Sequence, residues 1–177
     1  PRKPPIPNIA NFEGKGVEYM IKEPEVYRNK KVVIAGGGDT ALDWSIFLVN
    51  IAEQVSLVHR RNEFRGALDS VDKVQMLKDA GRIAVITPAE IKKVSGDQRL
   101  KEVCIVKNGK EKITLEADYL IPLFGLSPKL GPIANWGLKI EKNAIIVDNS
   151  LDYQTNIPGI YAIGDVNTYP GKLKLIL

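Results

Sequence analysis

Val32-Val33-Ile34-Ala35-Gly36-Gly37-Gly38-Asp39-Thr40-Ala41 is the stretch whose reading decides the fold. A short apolar run breaks into clustered glycines, and a helical pattern then runs from Thr40 to about Asn50. That order reads as strand, tight turn and helix, the opening of a βαβ unit. Gly36 allows the turn. Gly38 lets the backbone approach a pyrophosphate, and Ala41 takes the place of the third small residue of a G-x-G-x-x-G/A fingerprint, packing helix on strand. The helix N-terminus, with Asp39 and Thr40 in its first turn, offers unpaired N–H groups and a partial positive charge to phosphates. Asp39 and Asp43 also favour the helix dipole.

The next strand decides which dinucleotide fits. Gln54-Val55-Ser56-Leu57-Val58 reads as the second strand of the unit, and His59 ends it, 23 positions after Gly36. An acidic residue at that place bonds the 2′-hydroxyl of NAD. Here His59 is followed by Arg60, Arg61 and Arg65. Guanidinium groups grip a 2′-phosphate with charge-assisted, often bidentate bonds, which a carboxylate would repel. Alone, a triple glycine is a flexible turn and a basic run is a solvated face. At this spacing, on these elements, they read together as an NADP(H) site.

Outward from this core, residues 1–16 are rich in Pro, Asn and Gly and read as a linker. The dinucleotide domain is expected over residues 17–125, with residues 17–20 a short strand or a helix start. The first crossover helix is expected from Asp39 or Thr40 to about Ala52, and a second over residues 67–80, ended by Gly81. Residues 82–86 read as a third strand. Residues 90–95, 100–107 and 111–115 read as an antiparallel meander, with Asn108-Gly109 a hairpin signal. Residues 118–125 read as the returning parallel strand, although Pro122 removes a ladder hydrogen bond and fits best near an end or edge. The fold class is therefore α/β, a Rossmann-like parallel sheet with an inserted three-stranded meander. From Leu126 the texture changes. Residues 127–132 read as a loop, and 144–148 and 159–165 as two short strands belonging to another sheet.

Composition sets the outer bounds. The chain has 177 residues, 44% hydrophobic and 26% charged, with a formal net charge of +4. These are values of a soluble globular protein. The mild charge suits an anionic cofactor or an acidic partner and argues against nucleic acid. No apolar stretch is long enough for a membrane span. The single cysteine, Cys104, excludes an internal disulfide or a CxxC pair. The spacing shows no metal-ligand cluster, and no side chain is assigned as acid, base or nucleophile. The opening Pro1-Arg2-Lys3-Pro4-Pro5 and the closing Lys172-Leu173-Lys174-Leu175-Ile176-Leu177 read as the ends of a piece of a longer protein.

Four motifs in order resemble the pyridine-nucleotide domain of the two-dinucleotide-domain flavoprotein reductases, in their thioredoxin-reductase-like branch. They are GGGDTA at 36–41, HRRNEFR at 59–65, the G-x-x-P of Gly125 and Pro128, and IPGIYAIGD at 157–165. No dithiol precedes the glycines, so transfer to thioredoxin by that route is excluded. Residues 129–138 and 165–172 are more similar to the thioredoxin-reductase-type ferredoxin/flavodoxin–NADP reductases. The resemblance implies a cytoplasmic, FAD-containing homodimer that moves electrons between NADP(H) and a small acidic carrier, ferredoxin or flavodoxin. It implies that Gly164 and Asp165 contact FAD in the parent enzyme, and that residues 126–177 are part of a truncated FAD domain. No second G-x-G-x-x-G is present, so flavin is expected in the full-length parent only. Two other readings stay open: a flavoprotein of the same branch with another electron acceptor, and a non-catalytic NADP-binding module.

Overall fold

The structure is a computed structural model that describes residues 3–125, 129–148 and 151–172. It divides into two compact units, Pro1–Gly125 and Leu126–Leu177.

In the first unit, β1 (Lys31–Ala35) leads through the glycines into α1 (Asp39–Leu48), and β2 (Gln54–Val58) leads into α2 (Leu68–Asp79) and β3 (Ala84–Ile86). The meander follows as β4 (Ala89–Gly96), β5 (Leu100–Lys107) and β6 (Glu111–Glu116), and β7 (Tyr119–Pro122) closes the unit. The main sheet has the order β3-β2-β1-β7, with every neighbouring pair parallel. β1 reads as an unbroken apolar run because both faces are covered, and in β2 only the buried Ser56 interrupts the run. Alternate residues of β1 feed two separate cores, as a period of two demands. Val32 and Ile34 pack with Ala41, Leu42 and Leu48 of α1 and Val74 of α2. Val33 and Ala35 pack with Val94, Leu100, Val103 and Ile105 of the meander.

The chain builds β1, β2 and β3 in one direction and then returns, through the meander, to the other side of β1. Strand order therefore reverses between β1 and β7. The loops leaving the carboxyl ends of those two strands diverge there, where open α/β sheets bind ligands.

Pro122 sits comfortably. It is the last residue of the edge strand β7, and Leu123 resumes the ladder by donating its N–H to Ala35 O at 2.7 Å. The outer edge of β7 is covered by the N-terminal segment. Leu120 N–H donates to Gly16 O at 2.7 Å, and Glu18 N–H donates to Leu120 O at 3.0 Å. The stretch expected as a linker thus does more than connect. Its turns place Ile6, Ile9 and Phe12, three residues apart, in the meander-side core, a spacing that fits the 3-10 turn at Ile9–Phe12. Gly16 is required there. Its φ is +114°, and a Cβ would stand 2.6 Å from Leu100 Cβ and 2.7 Å from Asp118 O.

Elsewhere the boundaries shift slightly. Helix α1 ends at Leu48 rather than near Ala52, and Ile51 and Ala52 N–H both fold back onto Leu48 O. The expected meander forms, and its Asn108-Gly109 turn has both residues at positive φ.

In the second unit, β8 (Ile140–Glu141) and β9 (Ala144–Ile146) form a hairpin, and β10 (Asn167–Thr168) joins β9 in parallel. Lys142 and Asn143 lie at φ 49° and 65°, the left-handed pair that a two-residue hairpin turn needs. Leu138, Ile145, Val147 and Ala162 make a small core. The strand expected over 144–148 forms in part. The strand expected over 159–165 does not form. Gly159 and Gly164 take φ +81° and +76°, so they interrupt extended backbone at both ends. Between them only Tyr161 pairs, in a single bridge to Gln154, and a 3-10 turn at Gly164–Val166 follows. Pro128 of the G-x-x-P motif and residues 173–177 lie outside the described residues. Among the described residues, no helix is long and apolar enough to cross a membrane.

Candidate nucleotide site at the carboxyl ends of β1 and β2

Each of the three glycines after β1 has a different physical reason. Gly36 is held by contact: a Cβ would stand 2.7 Å from Ala41 Cβ and 2.8 Å from Leu123 O, so its smallness joins α1 and the end of β7 to β1. Its φ is not in the left-handed region, so close packing rather than a special dihedral selects glycine. Gly37 lies against His59, whose ring atoms would be 2.3 to 2.5 Å from an added Cβ. Gly38 is different again, since a Cβ there would meet nothing within 4 Å. Gly38 caps α1 with no side-chain hydrogen bond. Among the described residues, the N–H groups of Gly38, Asp39 and Thr40 find no acceptor. The loop thus leaves open space on the side where a run of N–H donors and the positive end of α1 converge. That is what a phosphate cradle requires.

The sequence groups His59 with the phosphate-binding arginines as a binding residue; the structure buries its ring. It is 6% exposed. Its Nε2 faces Glu63 O at 3.1 Å, and its ring stacks on Phe64 with centroids 5.4 Å apart. Because a carbonyl only accepts, Nε2 carries the proton and donates. Burial pushes the imidazole pKa below its ordinary value; Glu63 O raises it, and Arg65, Arg60 and Arg61 lower it further. The ring is therefore a neutral wedge beneath Gly37.

Arg60, Arg61 and Arg65 are all exposed, and among the described residues none forms an ion pair. Arg61 and Arg65 line an open recess with Asn62, Glu63 and Phe64. Three guanidinium groups against the one loop carboxylate, Glu63, leave this short loop net positive, which favours an anion.

This loop is fastened to the glycine turn. Arg65 N–H donates to Gly37 O at 2.7 Å. Ala67 N–H donates to Asp39 Oδ1 at 2.6 Å. Gly66 is pressed against α1, where a Cβ would stand 2.5 Å from Leu42 Cδ1 and 3.2 Å from Asp39 Oδ1. Asp43 Oδ1 accepts from Ser70 Oγ at 2.8 Å, joining α1 to α2. The structure therefore brings Gly36, Gly38, Asp39, Thr40, Ala41, His59 and Arg65 into one assembly, with Arg60 and Arg61 on its rim. Gly37, Phe64 and Gly66 were missed in the sequence reading. A glycine following Arg65 and standing two residues before a helix was the available signal for Gly66. Nothing local marks Phe64.

The remaining expected residues lie elsewhere. Gly125, at φ +81°, ends the first unit beyond β7. Gly164 and Asp165 belong to the second unit. Asp165 is exposed and makes no hydrogen bond or ion pair among the described residues. The turn is held instead by Lys172, whose Nζ donates to Gly164 O at 2.7 Å and to Asn167 O at 3.0 Å. Among the described residues, no group of His, Cys, Asp and Glu is arranged to hold a metal ion.

The family described as pyridine nucleotide-disulphide oxidoreductase matches residues 1–176. A ferredoxin–NADP reductase of Flavobacterium johnsoniae is 67% identical over 177 residues, covering 100% of this chain and 50% of the relative. The chain thus spans about half the length of the curated relatives it matches. Among solved structures, the thioredoxin reductase of Lactococcus lactis is similar at 25% identity with a TM-score of 0.84, covering 98% of this chain and 56% of that one. The T. acidophilum thioredoxin reductase shares the fold, with a TM-score of 0.88 at 22% identity over 98% of this chain and 56% of that one.

Proposed function

The chain belongs to the pyridine nucleotide-disulphide oxidoreductase family, and from that premise we propose that residues 17–125 are an NADP(H)-binding domain. The observation that carries the reading is the joined pair of anion sites. The free N–H groups at residues 38–40 donate to the pyrophosphate. The unpaired Arg60, Arg61 and Arg65 accept the 2′-phosphate, and no acidic residue at the end of β2 holds a free 2′-hydroxyl. The chain's own work is to bind and orient. Gly38 gives the backbone room to reach the pyrophosphate, and the Asp39 and Thr40 N–H groups donate to it. His59 stays neutral and keeps the glycine turn in shape from below.

The similarity to ferredoxin–NADP reductases supports a parent enzyme that transfers hydride between NADP(H) and FAD and exchanges electrons with ferredoxin or flavodoxin. That parent is a cytoplasmic homodimer in this reading. A bound flavin supplies the hydride chemistry. Residues 126–177 are then part of its FAD domain. The exposed Asp165 carboxylate beside Gly164, with no partner among the described residues, accepts from a flavin hydroxyl in this reading. The chain by itself binds nucleotide and does not turn over.

Titration of the chain with NADP+ and NAD+ tests the core of this reading. Each charge-assisted contact contributes about 1.5–3 kcal/mol, so two give a preference for NADP+ of roughly 10²-fold or more. Arg60→Ala with Arg61→Ala removes most of that preference and leaves NAD+ affinity nearly unchanged. Equal affinities in the unaltered chain, or equal losses for both nucleotides in the double variant, reject it.

A further inference from the structure

We propose that Asp39 is a specificity-determining positioning residue: it sets the preference for a 2′-phosphate by fastening the arginine loop to the pyrophosphate turn. This rests on the reading of the site as one for NADP(H). Residues 60–67 have no regular structure and carry three arginines against one carboxylate, Glu63, so the excess positive charge favours splaying the loop outward. Three hydrogen bonds hold it: His59 Nε2–H to Glu63 O, Arg65 N–H to Gly37 O, and Ala67 N–H to Asp39 Oδ1. The first works within the loop's own base and the second is backbone to backbone. Only the third joins the loop to α1 through a side chain. It is also the shortest, at 2.6 Å, and a carboxylate acceptor makes it charge-assisted.

A carboxylate at this place needs a reason. Asp39 is the first residue of α1, next to the N–H groups that face an anion, and a negative charge there opposes anion binding. The bond to Ala67 supplies the reason. It fixes the distance between the two phosphate-binding parts, and Gly66 lies flat on Leu42 so that the bond can form. Without it, Arg60, Arg61 and Arg65 keep their charges and lose their placement, so a nucleotide bearing a 2′-phosphate loses contacts while one lacking it loses none.

The rival explanation is a helix-dipole role, and two variants separate them. Asp39→Ala removes both charge and acceptor. Asp39→Asn removes the charge and keeps a carbonyl oxygen for Ala67 N–H. Affinities for NADP+ and NAD+ are measured in the unaltered chain and both variants, with amide hydrogen exchange at Ala67. In Asp39→Ala the expected result is an NADP+/NAD+ preference lowered about tenfold, or about 1.4 kcal/mol, because NADP+ alone loses arginine contacts while the gain from removing the charge is shared by both nucleotides, together with faster exchange at Ala67. Asp39→Asn keeps the preference and the protected amide. If Asp39→Ala keeps the preference while the unaltered chain favours NADP+, the positioning role is overturned and the binding reading stands. If Asp39→Asn loses it as fully as Asp39→Ala, the charge is responsible and the proposal is likewise overturned. Absence of any preference in the unaltered chain overturns the binding reading itself.

Discussion

Two of the chain's glycine–aspartate turns, at residues 36–39 and at residues 164–165, are built on opposite terms. The first is crowded: Gly36 and Gly37 are glycines because neighbouring atoms leave no room for a Cβ. The second is open, and Gly164 is a glycine because its φ is +76°, with nothing within 4 Å of a Cβ. Asp39 is engaged with Ala67, whereas Asp165 has no partner among the described residues. The first turn sits at the end of a strand buried on both faces. The second follows a segment with a single bridge, and its neighbours Tyr161 and Ile163 are 60% and 70% exposed. A crowded turn is shaped by its own unit, and an open one waits for contacts from outside it. Substitutions of the two glycines therefore fail for different reasons and by different amounts.

The largest effect is expected at Gly37. In Gly37→Ala the methyl group overlaps the His59 ring, which is buried, stacked on Phe64 and bonded to Glu63 O, and so cannot swing away. Overpacking of this kind costs about 1–3 kcal/mol, and it also displaces the 65–67 segment, because Arg65 N–H is bonded to Gly37 O. Thermal unfolding falls, and NADP+ affinity falls with it. Gly164→Ala meets no atom and carries only the left-handed backbone penalty, about 1 kcal/mol, with no loss of NADP+ affinity. Equal destabilisation by the two substitutions, or unchanged NADP+ affinity in Gly37→Ala, breaks the contrast.

The same contrast explains what was legible in the sequence. Strand β1 was readable because both faces are buried and its apolar run is unbroken, and β2 because only Ser56 interrupts Val55, Leu57 and Val58. The glycine cluster stood out at the end of the first, and the arginines stood out because no acidic residue follows the second. What stayed hidden depends on contacts between distant residues. His59 looked like a binding residue beside the arginines, and only the fold puts it under Gly37. Ile6, Ile9 and Phe12 looked like scattered apolar residues in a Pro- and Asn-rich stretch, because three-residue spacing without a helix gives little signal. Residues 159–165 read as a strand from the apolar run Ile160-Tyr161-Ala162-Ile163. A strand, however, needs a neighbour along its length, and in this unit Gln154 alone answers Tyr161.

Acid should act on the two turns unequally. His59 is the only histidine in the chain, and burial holds its folded pKa below the ordinary value near 6.5. The sign follows from proton binding. Between the folded and unfolded pKa values the unfolded chain binds a proton that the folded one does not, so protonation favours unfolding. The stability contributed by neutral His59 is complete above about pH 6.5 and declines as pH falls from there through the folded pKa. Residue-resolved hydrogen exchange at pH 7.5 and pH 5.5 should show protection falling around residues 57–67 and changing little around 161–168, where no histidine is present. Uniform loss across both regions would show that His59 is not the titrating group.

The smallest effect is expected at Asp165, and it is the most direct check on the open turn. Its carboxylate is exposed and receives no hydrogen bond from the described residues, while the turn's fastening comes from Lys172 to Gly164 O and Asn167 O. Asp165→Asn removes the charge and keeps the shape. Surface changes without partners stay within about 0.5 kcal/mol, so the melting temperature should stay within measurement error, and NADP+ affinity should be unaltered. Lys172→Met is the control: it removes the ammonium that bridges those carbonyls and should loosen the turn, seen as faster amide exchange at Val166 and Asn167. If Asp165→Asn destabilises the chain as Lys172→Met does, the carboxylate already has work within this unit. It would then no longer be free for a flavin, and the difference between the two turns would narrow to one of backbone angle.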